Sequence, residues 1–198
     1  MEILENYRKR VNSNLEDYLS SISLDNSYKS ELNNIIKYSV LAGGKRFRPI
    51  LTYTVANLFG IDIQKVDSSA CAIELIHIYS LIHDDLPAMD DDDMRHNQPS
   101  SHKVYGEAQA ILAGDALQAL AFEVISSDDL IDSVTKVKLL NLLSLSAFNM
   151  ALGQSIDLSI VSKEVDVELL NNLHKKKTGS LLNCSVMFGA ILNPNISK

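Results

Sequence analysis

The scarcity of chain breakers constrains this sequence most. Eight glycines and four prolines stand among 198 residues, about 6% of the chain, against roughly 12% in ordinary soluble proteins. Few turns and many straight-chain hydrophobes, 28 of them leucine, predict an all-α fold. The breakers also mark the boundaries. An N-terminal amphipathic helix over Met1–Leu19 should end near the polar stretch Ser20–Ser27. A second, Tyr28–Leu41, should stop at Gly43-Gly44, the residue type that favours a left-handed C-cap. Pro49 suits the first turn of a third helix, Ile50–Phe59. A fourth, Val66–Asp85, has to stop before Pro87, because the residue preceding a proline is pushed out of the α region. Longer helices are expected over Gly106–Ser126, Thr135–Ser159 and Asp166–Ala190. No linker, repeat or low-complexity tract divides residues 1–198, so the reading is one helical bundle domain.

Charge narrows the partners. The net charge is −7, and six of the 25 acidic residues fall in one window, Asp84–Asp93 (DDLPAMDDDD), that holds no base. Outside it 19 acids face 18 bases. Like charges so close repel by on the order of 1 kcal/mol per pair in water and about 4 kcal/mol near a protein surface, so the cluster needs free solvation or a cation. An acidic balance (pI ≈ 5.2) with no basic stripe argues against nucleic acid and an anionic membrane surface as partners. No apolar run reaches about 18 residues, and MEILENYRKR does not read as a signal peptide. Cys71 and Cys184, 113 positions apart with no partner at metal-ligand spacing, read as reduced core thiols. A cytoplasmic protein with no membrane span is the expectation.

The fourth helix carries the most information. At 100° per residue, Glu74, His77, Leu81, Asp84, Asp85 and Ala88 share an arc of about 100°, while Ala70, Ile73, Ile76, Ile78 and Ile82 belong to buried faces. A polar stripe on so apolar a helix either lines something or meets water. Asp84 and Asp90 bracket the loop DDLPAMD, beside Asp85 and Asp91. Carboxylates are hard ligands, of which Mg2+ takes one or two while water and phosphate fill its other positions. A calcium hand would need a central glycine and a closing glutamate that are absent; a solvated acidic loop is the plain alternative. GGKRFRP at 43–49 lies between a helix stop and a helix start, where free N–H groups and the helix dipole favour an anion. Lys45, Arg46 and Arg48 enlarge that to a diphosphate-sized site, unless the segment is only an exposed basic turn. Arg95-His96 and Lys175-Lys176-Lys177-Thr178-Gly179 are weaker signals, three lysines being usually a solvated face. An end cap accounts for Gln154 and Asp157, and a satisfied core histidine for His77, if nothing else engages them.

Taken in order, GGKRFRP (43–49), HIYSLIHDDLPAMDDDDMRHNQPSSHKVYGEAQAILAGDAL (77–117), GQSID (153–157) and HKKKTGSLL (174–182) resemble the trans-prenyltransferase, or polyprenyl diphosphate synthase, family, most closely its bacterial farnesyl diphosphate synthase branch. The resemblance implies an all-α antiparallel helical barrel of the isoprenoid synthase type around a deep pocket, assembled as a homodimer. It also implies a Mg2+-dependent prenyltransferase reaction. An allylic diphosphate, dimethylallyl or geranyl, ionises; its cation joins isopentenyl diphosphate; a proton is lost to give farnesyl diphosphate. By the same resemblance Asp84, Asp85 and Asp90 hold Mg2+ against the allylic diphosphate and Arg95 grips that group. Lys45, Arg48 and His77, with His96, form the isopentenyl diphosphate site, and Lys177 and Thr178 contact the allylic diphosphate and face the developing cation. The departing pyrophosphate is the implied base. Tyr79 and Ser80, five and four positions before Asp84, with the Pro87-Ala88 insertion, resemble the chain-length wall of farnesyl rather than geranylgeranyl synthases.

The match has two departures. Where the family carries a second arginine, this chain has His96-Asn97-Gln98. Histidine is only partly charged near neutral pH and lacks the bidentate fork, so isopentenyl diphosphate binding should be weaker and improve toward pH 6. The 198 residues also correspond to about the first two-thirds of the family's length. The second aspartate-rich motif and the C-terminal helices that close the barrel are missing from them, which predicts an exposed apolar face and no full synthase activity from these residues alone. Three readings stand: a farnesyl synthase, a geranylgeranyl synthase, and a truncated non-catalytic or regulatory relative. A class I terpene cyclase would have no use for GGKRFRP, and a plain helical protein would show no magnesium-linked stabilisation by pyrophosphate.

Overall fold

The computed structural model describes residues 2–21 and 31–193. Its helices are α1 (Glu2–Ser21), α2 (Glu31–Val40), α3 (Phe47–Leu58), α4 (Asp67–Asp84), α5 (Ser101–Tyr105), α6 (Glu107–Ser126), α7 (Ser133–Ile160), α8 (Val167–His174) and α9 (Ser180–Ile191). A 3-10 turn spans Ile63–Val66, a π-helical turn spans Lys175–Gly179, and a two-residue hairpin pairs β1 (Met94–Arg95) with β2 (Gln98–Pro99). The all-α class is as expected, and the expected helices are present. The stretch after Ser21 and the first residues of the expected second helix, 28–30, lie outside the described residues. Two local features differ from expectation. The π turn divides Asp166–Ala190 into α8 and α9, and residues 94–105 form the hairpin and α5, which a polar segment without apolar periodicity does not announce.

Helix α4 is the centre of the bundle. Residues Ser68 through Ile76 are buried without a break, and α3 packs on one side and α6 on another. Around it α1 contributes Tyr7, Val11, Leu15 and Leu19, four residues apart and so on one face. Arg10 of α1 holds Asp67 at the start of α4 through two hydrogen bonds of 2.7 and 2.6 Å, and Tyr53 of α3 donates to the same carboxylate at 2.7 Å. Side chains cap the outer helices: Asp132 accepts from Val134 N and Thr135 N, and Asp166 from Leu169 N. Helix α9 lies directly on α3, because a Cβ on Gly189 would stand 2.8 Å from both Ala56 N and Thr52 O.

Cys71 and Cys184 are free and buried, as expected. Val134, Val137, Leu145 and Phe148 are exposed on α7, in keeping with the expected apolar face. Both α6 and α7 are long and apolar enough, by length and composition, to cross a bilayer, with mean hydropathy of 1.3 and 1.2. Scattered polar residues interrupt their apolar runs without lowering those averages far. In this fold each packs into the bundle, α6 against α4 and α7 against α9.

Candidate functional site

Two clefts meet at α4. A cavity of about 470 Å³ lies between α4, α7 and the π turn, and a basic cleft of about 600 Å³ lies between α4 and the 43–49 loop. Arg48 and His77 line both. The polar arc of α4 therefore lines clefts. His77 and Asp84 stand seven residues apart on it, about 10 Å along the axis.

The 43–49 loop is built by its glycines. Gly43 and Gly44 have φ of +90° and +117°, which a side chain would strain, and Arg46 follows at φ +49°. This conformation separates the three basic residues. Lys45 is exposed at the cleft and Arg48 is half-buried there. Arg46 instead turns inward and is almost fully buried. It donates to Asn12 Oδ1 at 2.8 Å, to Val40 O at 2.6 Å and to Glu74 Oε1 at 3.0 Å. The reading of Arg46 as an anion ligand is corrected: its donors are spent on α1, α2 and α4. Arg48 keeps its Nε buried without a protein partner, and burial lowers its pKa from the ordinary value, against the pull of Glu74. A half-buried guanidinium with an unpartnered Nε beside exposed Lys45 has the chemistry to receive a multiply charged anion. His96 also lines this cleft, in the left-handed turn of the hairpin.

Burial, with Arg48, His96, Arg46 and Arg95 nearby, holds the His77 pKa down to about 3. The imidazole thus stays neutral in the fold where the unfolded chain, titrating at 6.5, takes up a proton. Stability from this group is complete above pH 6.5 and is lost as pH falls toward 3. Between pH 7 and pH 5 the loss is about 2 kcal/mol. His77→Gln should flatten that part of the stability-versus-pH curve in urea titrations; an unchanged slope would show that other groups cause it.

At the other end of the cavity Asp84 faces Lys177. Burial pushes the Asp84 carboxyl up to about 6, with Asp90 and Asp85 adding to the rise and Lys177 opposing it. Lys177 bonds Asp157. Burial pulls its pKa down, but Asp157, Asp84 and Asp90 together carry it above the ordinary value. Asp90 does not itself line the cavity but lies beside Asp84, its N–H donating to Asp84 O at 2.8 Å and its charge acting on both Asp84 and Lys177. Asp85 does not join them. It is buried on the adjoining face of the helix end and ion-paired with Arg95, whose Nε lies 3.0 Å from Asp85 Oδ1 and whose Nη2 also reaches Asp92 at 3.1 Å. Asp85 and Arg95 border the 43–46 loop and the hairpin, and neither lines the cavity. The structure thus pairs Asp85 and Arg95 with each other, apart from the cavity that Asp84 lines, where the resemblance implied one shared metal and diphosphate site.

Among the described residues no three His, Cys, Asp or Glu side chains are grouped closely enough to hold a metal alone. The donor set still fits Mg2+, which takes one or two carboxylates and completes its shell with water and phosphate. Asp84, its charge disfavoured by burial, and Asp90 are the two carboxylates that would hold it.

The far wall comes from α7 and the π turn. A Cβ on Gly153 would stand 2.2 Å from Lys177 N, so only glycine lets the backbone of the π turn rest on α7 and set Lys177 and Thr178 into the cavity. Tyr79 and Ser80 line the wall from α4, with Met150 and Leu158 from α7. Gln154, for which a cap was sufficient explanation, is the residue the sequence understated. It lines the cavity at 8% exposure, and neither its Nε2 nor its Oε1 has a partner in the protein. Such an unpaired buried group costs about 1–3 kcal/mol. Gln154→Met should therefore raise Tm by about 2–4 °C, corresponding to ~1 kcal/mol; a lower Tm would overturn this account.

The polyprenyl synthetase family model matches residues 29–197. The chain belongs to the polyprenyl synthetase family. It is 42% identical over 198 residues to the farnesyl diphosphate synthase of Haemophilus influenzae, covering 99% of this chain and 66% of that protein. It is 43% identical over 182 residues to the geranylgeranyl diphosphate synthase of Cyanophora paradoxa, covering 90% of this chain and 60% of that one. The crystal structure of a geranyltransferase from Legionella pneumophila superposes with a TM-score of 0.94 at 37% identity, over 100% of this chain and 69% of its own. The chain thus spans about two thirds of the length of these polyprenyl synthetase relatives, and the all-helical isoprenoid synthase fold is shared with them.

Proposed function

We propose that this protein is a Mg2+-dependent chain-elongating prenyltransferase that joins dimethylallyl or geranyl diphosphate to isopentenyl diphosphate and yields farnesyl diphosphate, acting in the cytoplasm as a homodimer. The observation that carries this reading is the meeting of two clefts. A largely apolar cavity with Asp84 and Lys177 at one end, and Asp90 close enough to act on both, opens at Arg48 and His77 onto a separate basic cleft. Two anionic substrates can lie side by side there with one apolar tail enclosed.

In the reaction the carbon–oxygen bond of the allylic diphosphate breaks and its electron pair leaves with pyrophosphate. The double bond of isopentenyl diphosphate supplies the pair for the new carbon–carbon bond, and pyrophosphate takes the proton that restores the alkene. Mg2+ on Asp84 and Asp90 would neutralise the departing charge. Lys177 adds a positive charge at the same end, and its neighbour Thr178 faces the cavity. Arg48 and Lys45 hold the second diphosphate. His77, neutral at working pH, is a hydrogen-bonding neighbour without adding charge. Met150, Leu158 and Tyr79 exclude water from the cation, where quenching would end the reaction.

The test follows pyrophosphate release and product length with geranyl and isopentenyl diphosphates, with and without Mg2+, alongside the thermal shift produced by pyrophosphate plus Mg2+. Mg2+-dependent turnover to farnesyl diphosphate supports the proposal. A thermal shift without turnover would support a binding or regulatory relative, and the absence of both would overturn a diphosphate site altogether. The geranylgeranyl reading, favoured by the name of the Cyanophora relative, predicts a longer product. Tyr79→Ala should lengthen the product by at least one isoprenoid unit if Tyr79 ends the cavity.

A further inference from the structure

On the α4 wall of the cavity, three residues past Ser80 and directly before Asp84, His83 is held in a way that nothing about the metal or diphosphate requires. Its Nε2 lies 3.1 Å from Ile111 O of α6. A carbonyl only accepts, so Nε2 carries the proton and donates. The ring rests on the bare Cα of Gly114, one turn along α6: a Cβ there would stand 2.1 Å from Nε2, 2.5 Å from Cδ2 and 2.7 Å from Cε1. All three atoms lie on one ring, so the imidazole is seated against this glycine and cannot withdraw further from the cavity it lines. Tyr79 in turn leans edge-on against it, ring centroids 5.7 Å apart at 79°. Gly114 is buried in the interior of a regular helix, where glycine costs about 1 kcal/mol relative to alanine. The seat for the ring explains that choice.

We propose that His83, seated on Gly114, is a second determinant of the length of prenyl chain this cavity accepts, bracing the wall behind Tyr79. The inference rests on the prenyltransferase reading above. An imidazole ring and one isoprenoid unit are of like size, so removing the ring opens the cavity toward α6. Adding a methyl at Gly114 has the opposite effect: it drives the ring off Ile111 O and into the cavity. The two substitutions therefore shift selectivity in opposite directions, although both disturb the same packing.

The experiment measures binding of the thiolodiphosphate analogues of geranyl, farnesyl and geranylgeranyl chains, and of pyrophosphate alone, to the 198-residue chain with Mg2+. His83→Ala should raise affinity for the geranylgeranyl analogue relative to the geranyl one by roughly tenfold or more, the scale set by burying an added methylene or two. Gly114→Ala should lower the farnesyl-to-geranyl ratio by a similar factor. Ratios between chain lengths cancel any loss at the diphosphate end, which pyrophosphate alone reports. If Gly114→Ala does not fold, the double variant His83→Ala with Gly114→Ala should, since the clash is removed, and it should retain the long-chain preference of His83→Ala. Equal weakening for all three chains, with ratios as in the unmodified protein, means His83 only supports the fold and overturns the proposal. No Mg2+-dependent binding of pyrophosphate by the unmodified protein would instead overturn the functional reading on which it rests.

Discussion

Arg46→Ala should lower stability by about 3–5 kcal/mol, the usual result of stripping one partner from a buried ion pair. Both side chains of the Arg46–Glu74 pair are nearly inaccessible, at 2% and 4% exposure. The same guanidinium also satisfies Asn12 and the last carbonyl of α2, so its loss unties three helices at once. Glu74 Oε2 already lacks a partner, and without Arg46 the whole carboxylate would be buried uncompensated. For a chain of this size the loss corresponds to a fall in Tm of about 6–20 °C. The double variant Arg46→Met with Glu74→Leu should recover most of it, because replacing both charges by apolar groups removes the desolvation penalty together with the attraction. Calorimetric scans of the single and double variants are the measurement. A single-variant loss below about 1 kcal/mol would mean the pair is solvated, as surface pairs are.

Gly153→Ala is the second large effect. The added methyl would meet the backbone of Lys177 at 2.2 Å and of Lys176 at 2.8 Å, and backbone atoms in a helical turn cannot step aside as a flexible side chain can. The cost should reach about 3 kcal/mol, the upper part of the range for overpacked cores. It should be accompanied by loss of the thermal shift with Mg2+ and pyrophosphate, because the π turn carries Lys177. Gly189→Ala offers the comparison: it crowds α9 against α3 at 2.8 Å, so it should destabilise while leaving the ligand shift, corrected for Tm, intact. If Gly153→Ala keeps the shift, the glycine serves packing alone.

The two cases show why some of the site was legible and some was not. The DDLPAMD loop and GGKRFRP stood out because charge density, proline and glycine are local signals, and Asp84, Lys45, Arg48 and His77 line the clefts as expected. Within the same motifs, adjacent residues went opposite ways. Arg46 and Arg48, two positions apart, were read as one anion site, yet the positive φ at Arg46 sends its side chain into the core. Asp84 and Asp85 are neighbours at a helix end, about 100° apart, so one meets the cavity and the other meets Arg95. Gln154 was explicable as an end cap for the same reason. A lone amide has no sequence context that distinguishes a cap from a cavity wall, and only the absence of a partner in the folded chain marks it.

By itself the sequence determined the helical class, most of the helix limits and the identity of the chemically active segments. Breaker spacing, apolar periodicity and charge density act over a few residues and need no partner. Tertiary structure alone decided which side chain of each pair faces the clefts, where the π turn falls, and which glycines are contacts. Those outcomes depend on the approach of α7 to the π turn, of α6 to His83, and of α1 and α2 to Arg46. The charge cluster at 84–93 shows the division most clearly. Its six aspartates are evident from composition, but whether each serves a cavity, a buried arginine or the solvent is set by residues far along the chain that close around it.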